Sequence, residues 1–198
     1  MVRSVGWRGT GWNNPKPAPG ALGLVQDFMN TRNHLQGGDL LGGVEEADHR
    51  LAERGLLEMD ESVGETGRRV LVDFREALRE LLLAHSGAVE PGSGVEVLNE
   101  FAASATLGVL FGVDGRPTLG PVAGGGPAER IMAWLLAEVF RAEAEGRWGR
   151  LKACRNPACR WVFYDASKNG LGRWCNMQVC GARDKMRRYR ERKQSESR

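Results

Sequence analysis

All four cysteines of this 198-residue chain fall within its last 45 positions. Cys154, Cys159, Cys175 and Cys180 are spaced as Cys-x4-Cys, fifteen residues, Cys-x4-Cys. Each short pair closes a tight turn that aims two sulfurs at one point, and the span between is long enough for a hairpin. A tetrahedral four-thiolate zinc site needs this arrangement. Four protein sulfurs leave no coordination position for water, so the zinc is structural and not catalytic. Two disulfides are the competing reading. No secretory segment opens the sequence, however, which points to a reducing, cytoplasmic setting. The Cys-x-x-Cys spacing of a redox dithiol is absent.

The residues around the cysteines predict a unit of knuckle, hairpin, second knuckle and basic helix. Asn156-Pro157 marks the first turn. Trp161 to Asp165 is a short apolar, strand-like run, and Ser167 to Gly172 is loop by composition. Beyond Cys180, Val179, Ala182, Met186 and Tyr189 recur at helical spacing as one narrow apolar stripe. The other faces carry Arg183, Lys185, Arg187, Arg188, Arg190 and Arg192. Trp161, Phe163, Tyr164 and Trp174 have two readings, a small core around the metal or a stacking surface for unpaired bases. The core reading is the simpler.

Charge divides the chain. Residues 147–198 hold 15 Lys/Arg against 4 Asp/Glu, whereas residues 1–146 hold 13 against 21. A polyanion is the natural partner of the basic part, and nucleic acid is the commonest. Arginines on phosphates give affinity without sequence reading; base contacts, Arg to guanine above all, would give specificity, with Arg187 and Arg190 the candidates. An acidic protein surface is the alternative partner; offsetting the anionic cluster and keeping the chain soluble are the plainer readings of some of the arginines.

The rest is mainly α. Residues 1–20, rich in Gly, Pro, Asn and Trp, form an irregular arm in which Trp7 and Trp12 dock on the domain or a partner. Residues 21–150 form a helical domain, and residues 151–198 the finger with its basic helix. Leu22, Val25, Phe28 and Met29 mark a short helix; Val44, Ala47 and Leu51 a second, ended by Gly55. From Thr66 to His85, Val70, Leu71, Phe74, Ala77, Leu78, Leu81 and Leu82 hold one broad face. Val95 to Ala105 is a further helix. One small β-hairpin is predicted from Leu107–Val113 and Pro117–Val122 around Asp114-Gly115. Gly124-Gly125-Gly126-Pro127 lacks the spacing and the Lys of a phosphate-binding loop. Ala128 to Glu145 is the second strong core helix, with Ile131, Met132, Leu135, Leu136, Val139 and Phe140 inward and Trp134 off that face. The finger follows without room for a long linker, so it is expected to dock.

Trp174-Cys175 followed by Cys180-Gly181-Ala182-Arg183 resembles the CGNR zinc finger, with Ala182 where the signature has Asn. Leu24 to Thr31 resembles the Leu-Asp-Phe-x-Asn-Thr segment that opens the ABATE domain preceding this finger in bacterial proteins. The resemblance spans about residues 21 to 193. It implies a stress-induced transcriptional regulator with one structural zinc ion on the four cysteines. It also singles out Asp27, Asn30 and Thr31 as candidate ligand-binding residues of a sensor domain, beside the plainer reading of a hydrogen-bonded corner at a helix end.

The function expected is zinc-dependent binding of duplex DNA through the finger helix, with a small-molecule ligand in the helical domain and a homodimer as further options. No stretch suits a membrane span. His34, His49 and His85 are far apart and in no catalytic motif, so no enzyme is expected; His85, at a helix end, suits the helix dipole as a cation.

Overall fold

The computed structural model describes residues 14–90, 92 and 94–196. Trp7 and Trp12 lie outside the described residues. Among the described residues six α-helices and three short strand pairs follow one another. They are α1 (Leu22–Met29), a two-residue ladder of β1 (Arg32–Asn33) and β2 (Gly38–Asp39), α2 (Val44–Glu53), α3 (Gly64–His85) and α4 (Val95–Ser104). Next come the hairpin of β3 (Leu107–Phe111) and β4 (Pro117–Pro121), then α5 (Pro127–Ala144). The chain closes with β5 (Leu151–Ala153), β6 (Val162–Tyr164), a π-helical turn over Met177–Gly181 and α6 (Ala182–Glu196).

The core forms where the apolar stripes of α3 and α5 meet and α1 lies across them. Leu71, Phe74, Leu78 and Leu82 of α3 face Ile131, Met132 and Leu135 of α5 in one buried cluster. Phe74 is flanked by Phe28 at 6.1 Å and by Phe101 at 5.7 Å, the second edge-on, a favoured ring geometry. All eight residues of α1 are buried, including Gln26 and Asp27. The helix is therefore a central element with no solvent face. α3 stops where Gly87 takes φ +69°. The N–H of Ala88 then reaches back to the Leu83 carbonyl at 3.0 Å, closing a glycine-ended helix terminus.

The long helices lie where the periodicity places them, with three corrections on their faces. Phe140 is 65 % exposed, because α5 buries Ala133, Ala137 and Glu138 on its other flank. Val70 is only half-buried. On α3, Arg75 and Arg79 are sealed inside at 1 % and 0 % exposure. Arg75 grips the Asp39 carboxylate at 2.7 and 2.8 Å and Thr31 Oγ1 at 2.8 Å. It thereby ties the β1–β2 ladder to α3, a ladder absent from the sequence reading.

The hairpin pairs Leu107 with Pro121 through Phe111 with Pro117. Its strands are shorter than expected. Gly112 already turns, its N–H bonding the Arg116 carbonyl at 3.0 Å, and Gly115 takes φ +73°.

In the finger, the strand within Trp161–Asp165 pairs with Leu151–Ala153, which precedes the first cysteine. The first knuckle is thus the loop of the hairpin and not its neighbour. The reason is burial: Leu151, Ala153 and Val162 join the main core, so β5 lies against α3 while it aligns Cys154.

Candidate metal centre and basic helix

Two asparagine turns build the sulfur cluster. In the first, Asn156 accepts the Ala158 N–H on its side chain and the Cys159 N–H on its carbonyl, at 3.1 and 2.8 Å. In the second, Asn176 Oδ1 accepts the N–H groups of Gln178 and Val179 at 2.8 and 3.2 Å, and its carbonyl accepts the Cys180 N–H at 2.9 Å. Each Asn side chain substitutes for a backbone turn. Gly181 completes the second turn; a Cβ there would lie 2.5 Å from Met177 Sδ.

The four sulfurs lie within 4.8 Å of one another and all four cysteines are buried. Cys159 Sγ is 3.6 Å from Cys175 Sγ, which is 3.8 Å from Cys180 Sγ. These are free cysteines, well beyond the roughly 2.05 Å of a disulfide. A zinc ion at about 2.3 Å from each sulfur requires a tetrahedron with edges of about 3.8 Å, so the donor set fits the metal. The thiols also fit it electrostatically. Hydrogen bonding from Cys159 and Cys175 holds Cys154 as the anion, while the proximity of Cys154 pushes Cys159 and Cys175 strongly up. A dication is what lets all of them be thiolates together.

Around the sulfurs, Phe163 is fully buried and Trp161 and Trp174 pack on the cluster, whereas Tyr164 packs on the main core. The aromatic residues therefore serve as core, Phe163 sealed and the other three half-buried against it. Lys16 caps this core, its Nζ 4.8 Å from the Phe163 ring and 2.9 Å from the Trp174 carbonyl. A buried pair, Lys152 and Asp165 at 3.0 Å, pins the loop between the knuckles. Asp165 also accepts the N–H of Gly172 at 2.6 Å and the hydroxyl of Ser167 at 2.7 Å. Burial alone would raise the Asp165 pKa, but the bonds from Ser167, Lys152 and Gly172 outweigh it and hold the carboxyl well below its ordinary range.

Asp27, Asn30 and Thr31 are brought together, but inside a joint. Asn30 Oδ1 accepts the Val162 N–H at 2.8 Å, and its amide donates to the Val162 carbonyl at 2.9 Å and to Asn14 Oδ1 at 2.9 Å. It clamps the strand that closes the first knuckle. Gln26 donates to the same carbonyl at 3.1 Å and to that of Lys16 at 3.0 Å. Asp27 accepts from Asn14 at 3.0 Å and pairs with Arg54 at 3.0 Å. Thr31 Oγ1 donates to the Phe28 carbonyl at 2.7 Å. The space beside Asp27 and Thr31 measures about 20 Å³, the room of one water. In this structure the three residues hold the fold's corner.

Arg79 completes the joint. Its guanidinium bonds the Met29 carbonyl at 2.5 Å, the Arg160 carbonyl at 2.9 Å and Glu76 at 2.9 Å. Arg160, the residue after Cys159, has φ +49°. Arg75 and Arg79 carried no sequence signal, because an Arg within a helical stripe reads as solvated. His85 is also structural: its Nδ1 lies 2.9 Å from the Leu151 carbonyl and its ring stands edge-on to Trp148. Burial lowers its pKa, so desolvation prevails over the helix dipole and the neutral form is native.

α6 begins at Ala182, directly after the turn that holds Cys180. Ala182 is exposed and takes ordinary helical angles, φ −64° and ψ −41°. Arg183, Lys185, Arg187, Arg188, Arg190 and Arg192 are all exposed. Asp184 ties down two of them, Arg187 at 2.6 Å and Arg188 at 2.8 Å, and Glu191 adds a contact to Arg187 at 3.1 Å. Among the described residues Arg183, Lys185, Arg190 and Arg192 make no ion pair. Val179 and Met186 share one shallow face with Arg183, Arg187 and Arg190.

Among the described residues no helix is long and apolar enough to cross a membrane. No curated protein matches the chain. Two family models do. The CGNR zinc finger matches residues 150–193, and the ABATE model, described as "Putative stress-induced transcription regulator", matches residues 22–145. The joint and the sulfur cluster thus fall in the two matched regions, and the chain belongs to the ABATE family, with a CGNR zinc finger following its helical domain.

Proposed function

We propose that the protein is a transcription regulator that binds duplex DNA through α6, and that it is not an enzyme. The observation that carries this reading is the continuity between metal and helix. Cys180 lies in a turn that runs without a break into α6, so a zinc ion on the cysteines fixes both the origin and the direction of a rod of exposed cations. A rod of this width suits the major groove. Among the described residues Arg183, Lys185, Arg190 and Arg192 make no ion pair, which leaves their donors for phosphates. Arg187 and Arg188, more than half exposed, keep further N–H groups for such contacts while paired with the largely buried Asp184. Asn30 serves this function indirectly, by holding the finger strand at Val162 on the helical domain, while Asp27 and Thr31 fix the corner around it.

The test is the salt dependence of binding to a duplex of random sequence. Removing both Arg183 and Arg190 as alanines should weaken binding and flatten the log–log slope by roughly 1.8, about 0.9 for each lost phosphate contact. An unchanged slope would mean that α6 does not meet phosphates. In that case a variant that still binds an acidic protein partner would assign the helix to protein contact.

A further inference from the structure

α6 and the turn before it leave an apolar stripe in solvent. Val179 is 41 % exposed and Met186 52 %, and Ala182 between them is exposed as well. Three and four residues apart, the three stand one turn from one another on a single side of the helix. Arg183 and Arg190 share that side, and the five residues form one continuous shallow surface. Phosphate contacts by arginine leave the stripe itself without a role.

Charge selects the side of α6 that a polyanion would meet. Asp184 falls about 200° around the helix from Met186 and is turned to Arg187 and Arg188, at 2.6 and 2.8 Å. Glu191 stands at the border of the stripe, held by Arg187 at 3.1 Å. Arg183 and Arg190, beside the stripe, make no ion pair among the described residues. The side with the apolar groups is therefore also the side where cations are unmatched, and it is complementary to a duplex.

With that side turned to a duplex, the long arginine side chains reach the phosphates at the edge of the groove, and the shorter apolar groups meet its floor. The floor of the major groove is a pattern of donors and acceptors with one apolar feature, the C5-methyl group of thymine. Val179, Ala182 and Met186 have no side-chain donor to offer a base. Over a G·C pair they would strip water from polar base edges and put nothing in its place. Over a thymine methyl they bury apolar surface on apolar surface. An RNA duplex has no such methyl, and its major groove is too narrow and deep to be read.

We infer that α6 reads thymine: Met186 and Val179 pack on the C5-methyl groups of A·T pairs in the major groove, and so favour thymine-bearing DNA over G·C-rich DNA and over RNA. This rests on the reading of α6 as a nucleic-acid helix and adds a base preference to it.

Fluorescence anisotropy of the zinc-loaded full chain with a labelled alternating dA–dT duplex, and with the same duplex carrying uracil in place of thymine, tests it. Uracil removes the methyl and keeps the charge and the pairing. The parent should bind the thymine duplex about fourfold or more tightly, the worth of one methyl-sized group withdrawn from water. Met186→Ala should lower affinity for the thymine duplex to near that for the uracil duplex, with the salt slope unchanged. Met186→Leu, which keeps the apolar bulk, should retain the preference. Equal parental affinity for the two duplexes overturns the inference and leaves the phosphate contacts of α6 standing; binding to neither duplex overturns it together with the nucleic-acid reading. A Met186→Ala variant that keeps the full preference overturns it too, as does one that splits a dimeric parent into monomers in sedimentation, which would assign the stripe to contact between copies.

Discussion

Replacing Asn30 by Ala would leave the N–H and C=O of Val162 without their Asn30 partner, in a place sealed from water. Gln26 still reaches the carbonyl, so the N–H is the group left orphaned. Such a loss costs about 1–3 kcal/mol, and the lost amide bonds add to it. Urea unfolding should show a drop of that order, whereas a ligand-binding Asn would leave basal stability near that of the parent. The histidines give a second test at this scale. Burial first, and Arg79 next, lower the pKa of His34; burial lowers that of His85. Each is neutral in the native state and takes up a proton more readily when unfolded, near the ordinary 6.5. The stability they contribute is therefore complete above that pH and is lost as pH falls below it toward the native values. Denaturation midpoints should decline across that window, and His85→Gln should make the decline shallower. An identical decline in the variant would remove His85 from the account.

Among the elements, α3 and α5 were legible because their stripes run five turns or more, long enough for one face to be unambiguous. Phe140 was misplaced because α5 buries small residues on the opposite flank, and periodicity cannot distinguish a large exposed residue from a core one. The β1–β2 ladder escaped notice because two residues have no pattern; Arg75 holds it, and a buried Arg is invisible to hydropathy. The finger strand was found, but its partner was sought after the knuckle. Leu151–Ala153 is too short to read as a strand until its burial against α3 is known. The four ligands were fully legible, since spacing alone carries their chemistry. For that element, Cys175→Ser should abolish zinc binding and melt the second knuckle with the start of α6, because structural zinc supplies on the order of 10–16 kcal/mol of apparent folding energy. The helical signal of α1, α3 and α5 should persist, their core being formed by residues of the other buried cluster. Metal content and circular dichroism of the purified variant decide this; one zinc per chain in the variant contradicts it.

The whole molecule is joined more closely than a domain with an appended finger. Leu151, Ala153 and Val162 belong to the core of the helices. Asn14, Gln26, Asn30 and Arg79 bond the backbone or side chains of residues 160–162. The first knuckle is therefore held by the helical domain as well as by metal, whereas the second knuckle has, beside the metal, the Lys16 bond to the Trp174 carbonyl and the loop pinned by Asp165, and α6 follows from it. Zinc removal should thus act on the basic helix first, and its effect should be largest on whatever α6 binds. The most direct measurement is the fluorescence anisotropy of a labelled random duplex titrated with zinc-loaded protein, with the chelated protein, and with the chelated protein after zinc is restored. The account predicts binding in the first case, loss of about tenfold or more in the second, and recovery in the third; equal affinity with and without zinc would contradict it.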